Sequence, residues 1–257
     1  MNTKPKNVCC ELALNNIYNT DCIKGMGRIK NSSVSLVLTD PPYGISRDSN
    51  YASSAPTGKD TDRFRISIDF GDTDAQNAFD IVAMIRHSYR CLKPGGYMVC
   101  FYDLWKIETL KLIMEEVGFK QIRFIEWVKT NPVPINSKIN YLTNSREVAV
   151  CAVKGSNPVF NSSYDNGIYS FPICHDADRF HPTQKPVDLI RSIIAKHTLN
   201  GDLVLDNCMG SGTTAIAAIR EGRNFIGFET NEEYYEKACK RIKKEQASLN
   251  KNLTIKL

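Results

Sequence analysis

The stretch SLVLTDPPYGIS, 35–46, sets a carboxylate, two prolines and a phenol at the end of an apolar run. Val34, Leu36, Val37 and Leu38 read as a buried strand. Pro41 and Pro42 forbid its continuation and fix a stiff turn. The turn holds Asp40 and the Pro41 carbonyl still, as two acceptors that need little reorganisation to meet a donor. Tyr43 adds a ring on which a flat ligand can stack.

A second constellation is LVLDNCMGSGTTAIAAIREGRNFIGFE, which reads strand, glycine loop, helix, strand, with Asp206 and Glu229 at the two strand ends. In doubly wound sheets ligands bind beyond the carboxyl ends of the strands. Gly210 and Gly212 let backbone approach a ligand closely, and Glu229 is placed to accept from two ribose hydroxyls. Gly210, Gly212 and Ala215 also satisfy the loose dinucleotide pattern G-x-G-x-x-G/A. Two observations weigh against a nicotinamide dinucleotide and the oxidoreductase it would serve. Asp206 stands where a pyrophosphate would be repelled, and fewer than thirty residues follow Glu229 to complete a second half-sheet. S-adenosylmethionine, with a ribose, an adenine and a zwitterionic amino acid but no phosphate, suits the site better.

The elements that must position these groups alternate. Asn16–Asn19 reads as a strand leading to Asp21, 22–29 as a helical turn, 79–92 as a helix stopped by KPGG, and YMVCFY as a strand. Leu104–Val117 reads as a helix ended by Gly118, followed by the strands IRFIEWV and EVAVCAV. A proline-opened helix over 186–197, the strand LVLD, a helix over 213–220, the strand FIGFE and a charged helix over 231–244 complete the chain. Such alternation implies an α/β fold: a doubly wound, mostly parallel sheet with helices on both faces. Two stretches break the pattern. Residues 47–74 are polar and aperiodic and read as a mobile loop. Residues 131–179 are rich in Asn, Ser and Pro without a long helix signal.

A chain of 257 residues with a net charge of +5 permits a local basic cleft without demanding one. No apolar run reaches membrane-spanning length and the N-terminus lacks a signal-peptide core, so a cytoplasmic protein with no membrane partner is expected. Nine cysteines, an odd number and mostly in apolar runs, do not suggest a disulfide framework. Cys174, His175 and His181 lack zinc-site spacing, and no metal is expected.

Taken together, the two motifs resemble those of the amino-group DNA methyltransferases, in the permuted β class whose DPPY motif precedes the glycine-rich cofactor motif. Asp40-Pro41-Pro42-Tyr43 matches the first, DNCMGSGTT at 206–214 the second, and HPTQKP at 181–186 the family segment leading into the helix before it. NTDC at 19–22, WVKTNPVP and REVAVCAVKG are also similar to family segments, so that the likeness covers nearly the whole chain. DPPY alone arises by chance in roughly one chain per thousand of this length; with the other motifs in family order, chance is negligible. The family usually has Pro-Phe where this chain has Asn207-Cys208.

The resemblance implies a Rossmann-like methyltransferase fold that transfers methyl from S-adenosylmethionine to an exocyclic amine of a flipped base in double-stranded DNA. Asp40, Pro41, Pro42 and Tyr43 would form the catalytic turn. Asp21 and Cys22 would lie at the cofactor adenine; Thr183 and Lys185 would hold its methionine end, with Gly210, Ser211, Gly212 and Thr213 beneath, beside Asp206 and Glu229. Residues 1–130 and 180–257 would form the catalytic domain, its catalytic half first, and 131–179 a small target-recognition insertion, with Lys129, Lys138, Arg146 and Lys154 as phosphate contacts. Asp rather than Ser before Pro-Pro-Tyr points to adenine N6, with cytosine N4 as the alternative. Other readings are an RNA or protein-glutamine methyltransferase and a non-catalytic DNA-binding module that keeps the fold. A homodimer and a separately acting cognate restriction endonuclease are open partners.

Overall fold

A computed structural model of the chain describes residues 8–9, 12–43, 79–132, 142–174 and 179–254. A two-stranded ribbon, β1 (Val8–Cys9) with β2 (Leu12–Ala13), leads into β3 (Asn16–Asn19), α1 (Cys22–Gly27) and β4 (Val34–Thr39). Next come α2 (Ile81–Cys91), β5 (Leu92–Tyr102), a 3-10 turn (Leu104–Lys106), α3 (Ile107–Val117), β6 (Phe119–Lys129), β7 (Arg146–Lys154) and β8 (Ile168–Phe171). The chain finishes with α4 (Val187–His197), β9 (Leu203–Asp206), α5 (Thr213–Arg220), β10 (Asn224–Glu229) and α6 (Glu232–Thr254).

The main sheet has eight strands in the order β3-β10-β9-β4-β5-β7-β6-β8. Pairings are parallel except on the two sides of β7, so β7 alone runs against the others. Both faces are covered. Leu36 and Leu38 of β4 pack with α4, α5 and α6 through Ile190, Ile194, Ala217 and Ile242. Val34 and Val37 pack with α1, α2 and α3 through Met26, Ile85 and Leu110. This explains the apolar bias of β4, whose six residues are all buried: a central strand covered on both sides has no wet face to alternate with. The first charged residue, Asp40, appears where the strand leaves the sheet after Thr39.

Two expectations change. The 131–179 region is not a separate insertion, because β7 lies within it and forms the sheet between β5 and β6. Its sequence signal, EVAVCAV, is a strand; what cannot be read locally is that this strand inserts antiparallel between the two strands that precede it. The helix expected over 104–117 is broken at its start, where Asp103 caps the 3-10 turn through the Trp105 amide at 2.9 Å. The 47–74 loop and Lys138 lie outside the described residues.

Candidate active site

Parallel pairing of β4 with β9 and of β9 with β10 brings Asp40, Asp206 and Glu229 to one edge of the sheet. They line a single cavity of about 800 Å³ that runs from Thr20 and Asp21 at one end to Trp127 and Glu147 at the other. That volume accommodates a drug-sized ligand with room beside it.

At the Asp40 end, four elements supply an alternating set of charges. The Lys185 ammonium donates to Asp40 Oδ2 at 2.6 Å and to Glu147 Oε2 at 3.1 Å, and sits 4.5 Å above the Phe101 ring. Lys129 at the end of β6 reaches Glu147 Oε1 at 2.8 Å. The Tyr43 hydroxyl donates to Asp40 Oδ1 at 2.6 Å, and its ring packs edge-on against Tyr102 at 5.3 Å. Burial works to discharge Lys185, but Asp40 and Glu147 outweigh it and hold the ammonium charged. Burial also works against ionised Glu147, yet Lys185 and Lys129 bring its pKa down to about 2. Burial, reinforced by Asp40, pushes the Tyr43 phenol far above its ordinary range, so it stays a donor.

The cofactor half is built around the glycine loop. Asp206, fully enclosed, has its pKa raised to about 7 by burial, against the Thr214 hydroxyl and the Cys208 amide, the last donating at 3.1 Å. Glu229 ties the loop down: Oε2 accepts from the Gly210 amide at 2.7 Å and Oε1 from the Asn231 amide at 2.8 Å. Gly212, with φ of 80°, ends the loop as the N-cap of α5, and a Cβ there would stand 3.3 Å from Ala238 of α6. Ser211 and Thr213 share a hydrogen bond at 3.0 Å, and Arg241 from α6 reaches the Ser211 carbonyl and the Thr213 hydroxyl. Asp21 caps α1, accepting from the Ile23 and Lys24 amides. Cys22 shares a hydrogen bond with Cys208, which together with burial raises the Cys208 thiol. The Thr183 hydroxyl lies 3.2 Å from His181 Nδ1, and the His181 ring stands between Gly210 and Tyr234.

Asn207, in place of the family's usual proline, reaches α2 with its side-chain amide, donating to Ser88 Oγ at 2.9 Å. Its buried Oδ1 has no partner among the described residues.

The structure relocates two expected residues. Lys185, expected at the cofactor's methionine end, instead commits its ammonium to Asp40 and Glu147; only its backbone carbonyl meets the cofactor loop, accepting from Thr213 at 3.4 Å. Lys154 sits at the far end of β7 from the cavity and donates to the Leu92 carbonyl at 2.7 Å, which removes it from a surface shared with Asp40. Arg146 is on the cavity side, exposed and paired with Glu126 at 3.2 Å. Sequence reading missed Glu147, His181, Phe101 and Arg241. A glutamate at the start of EVAVCAV, out of keeping with the apolar residues after it, was the available signal for Glu147.

Comparison with known proteins agrees with this geometry. Residues 34–240 match the family model described as DNA methylase. The chain is 30% identical over 249 residues to Type II methyltransferase M2.DpnII of Streptococcus pneumoniae, covering 89% of this chain and 90% of that one. It is 31% identical to M2.MboI of Moraxella bovis, covering 88% and 86%. Among solved structures it is similar to the M1.HpyAVI-SAM complex, with a TM-score of 0.66 and 31% identity over 88% of this chain and 98% of that one. PvuII DNA methyltransferase (cytosine-N4-specific) has a TM-score of 0.67 at 20% identity, over 93% and 92%, a likeness of fold alone.

Proposed function

Because the chain belongs to the DNA methylase family that modifies exocyclic amino nitrogens, we propose that it methylates adenine N6 in double-stranded DNA, with Asp40 and the Pro41 carbonyl as acceptors for the two amino protons. One observation carries this reading: Asp40 stands on a proline-locked turn beside the cavity that the glycine loop closes. S-adenosylmethionine supplies a methyl group already activated by its positive sulfur. The donor set fits that cofactor: Glu229 and Asp21, each just beyond or at a strand end, suit hydroxyls and an adenine. The cofactor roles of Asp21, Cys22, Thr183, Ser211 and Thr213 are part of the proposal.

An adenine amine is a poor nucleophile because its lone pair is delocalised into the ring. Two acceptors set off the base plane favour the pyramidal nitrogen of the transition state over the planar ground state. As the new N–C bond forms and the C–S bond breaks, the surplus proton leaves the nitrogen toward Asp40. In the structure Tyr43 and Lys185 occupy both Asp40 oxygens. An entering base therefore takes over the hydrogen bond of the Tyr43 hydroxyl, and the released ring is free to stack on it. Lys185 stays behind and keeps Asp40 aimed.

Adenine is favoured by Asp at the first position of the motif. The fold does not discriminate, since a protein named as cytosine-N4-specific shares it. Target recognition falls to the stretches that leave the cavity edge, between Lys129 and Arg146 and after Phe171. A separate endonuclease reading the same sequence, and a homodimer, complete the proposed setting of a restriction–modification enzyme in the cytoplasm. Incubating the enzyme with cofactor and DNA, then separating the nucleosides by mass, should give N6-methyladenine. N4-methylcytosine without N6-methyladenine would overturn the base assignment.

A further inference from the structure

The chain has two tryptophans, and they are placed oppositely. Trp127 is buried in the cavity wall, its indole N–H bonded to the Phe171 carbonyl at 2.9 Å. Trp105 is 91% exposed, and Leu104 beside it is 54% exposed. Leaving a large ring in water forgoes the burial energy that usually holds tryptophan inside. The backbone beneath it is nevertheless fixed: Asp103 accepts from the Trp105 amide at 2.9 Å and its carbonyl accepts from the Lys106 amide at 2.9 Å. A ring that is exposed on a pinned turn is presented rather than frayed.

Its position gives the occupant. Trp105 follows β5 by three residues, a reach of about 10 Å, and Tyr102 at the end of β5 is the residue whose ring packs on Tyr43. The exposed ring thus stands at the same edge of the sheet as the Asp40 turn, since Cys100 of β5 pairs with Thr39 of β4. A second exposed apolar side chain, Leu142 at 81%, precedes β7 on the same edge, since Val148 of β7 pairs with Tyr102. Extruding a base leaves a gap in the stack, and a flat apolar side chain entering it recovers part of the lost stacking.

We propose that Trp105 is the wedge that enters double-stranded DNA as the target base leaves, stacking on the neighbouring base pair and holding the gap open. The proposal rests on the base-flipping reading given above. Its test uses a duplex bearing the site that modification-aware sequencing defines, with the fluorescent base 2-aminopurine at the target position. Wild-type enzyme should raise the fluorescence; Trp105→Ala should lose most of the rise and on the order of tenfold to hundredfold in kcat/KM, while Trp105→Phe keeps both. A duplex whose target base is mispaired, and so already loosened, should restore most of the turnover of Trp105→Ala. In the Trp127→Phe variant, where Trp105 is the remaining indole, duplex DNA should quench the emission. No rise with wild type would overturn the flipping reading and the wedge with it. A rise that Trp105→Ala keeps, an equal loss on paired and mispaired duplexes, unquenched emission, or dissociation of a wild-type dimer by Trp105→Ala would each overturn the wedge alone.

Discussion

Asp40 meets a phenol and an ammonium at the same distance, 2.6 Å, one on each oxygen. Both partners belong to the Asp40 end of the cavity, whereas the loop-facing acid is Asp206. Asp40→Ala should therefore leave cofactor affinity nearly unchanged while turnover falls by at least about 10²–10³-fold; calorimetry and a methyl-transfer assay read the two separately, and substantial turnover would refute the role. Asp206 carries a different signature. Its carboxyl titrates near 3.8 when unfolded and about 7 when folded, so between those values the native state holds a proton that the unfolded chain has released. Its contribution to stability accordingly falls as pH rises from 4 to 7, by up to about 4 kcal/mol, and is flat above. Asp206→Asn should flatten that part of a denaturation–pH profile. Glu147, held down to about 2 from 4.5, acts oppositely: its contribution is complete above pH 4.5 and is lost as pH falls toward 2. That Asp40, Asp206, Glu229 and Gly210 belong to one cavity was legible in the sequence because each motif is a short continuous run with its own backbone demands. Glu147 was not, because its role exists only where β7 brings it against Lys185, 38 residues away.

At the scale of elements, the direction of β7 decides which connections can touch DNA. The chain between β6 and β7 leaves from the cavity edge, whereas residues 155–167 join β7 to β8 at the opposite edge. Those residues are docked on α4: Asn161 donates to the Ala195 and Thr198 carbonyls, and Lys196 pairs with Asp165 at 2.6 Å. Exchanging residues 131–145 for those of a relative should change the methylated sequence, and exchanging 155–167 should lower the melting temperature without changing it. Modification-aware sequencing of host DNA checks both; a preference unmoved by the first exchange would refute the assignment. Strand and helix positions were largely readable from apolar periodicity, including the stop at Gly118, whose φ of 110° no side-chain-bearing residue adopts comfortably. The register and order of strands were not, since periodicity reports which face is buried and not which neighbour is paired.

The molecule as a whole opens one cavity along one edge of its sheet, and its cofactor preference can be tested without turnover. A ligand that binds the native state at a hundred times its dissociation constant stabilises by about 2.7 kcal/mol, which for a chain of this size is roughly 5–10 °C. S-adenosylmethionine should produce such a shift in a thermal melt and NAD should not; the reverse would return the dinucleotide reading. The strand order carries one more consequence, for synthesis. Asn19, the last residue of β3, donates to the Glu229 carbonyl at the end of β10, across 210 residues of chain, and β4 finds one of its two neighbours in β9 near the C-terminal end. At ribosomal rates of about 5–20 residues per second, roughly 10–40 s separate the emergence of these partners. Throughout that interval β4, apolar on both faces, has an unpaired edge, which is a template for association with other nascent chains. The turn bearing Asp40 is thus made early and left waiting on a strand whose exposed side only the last part of the chain can close.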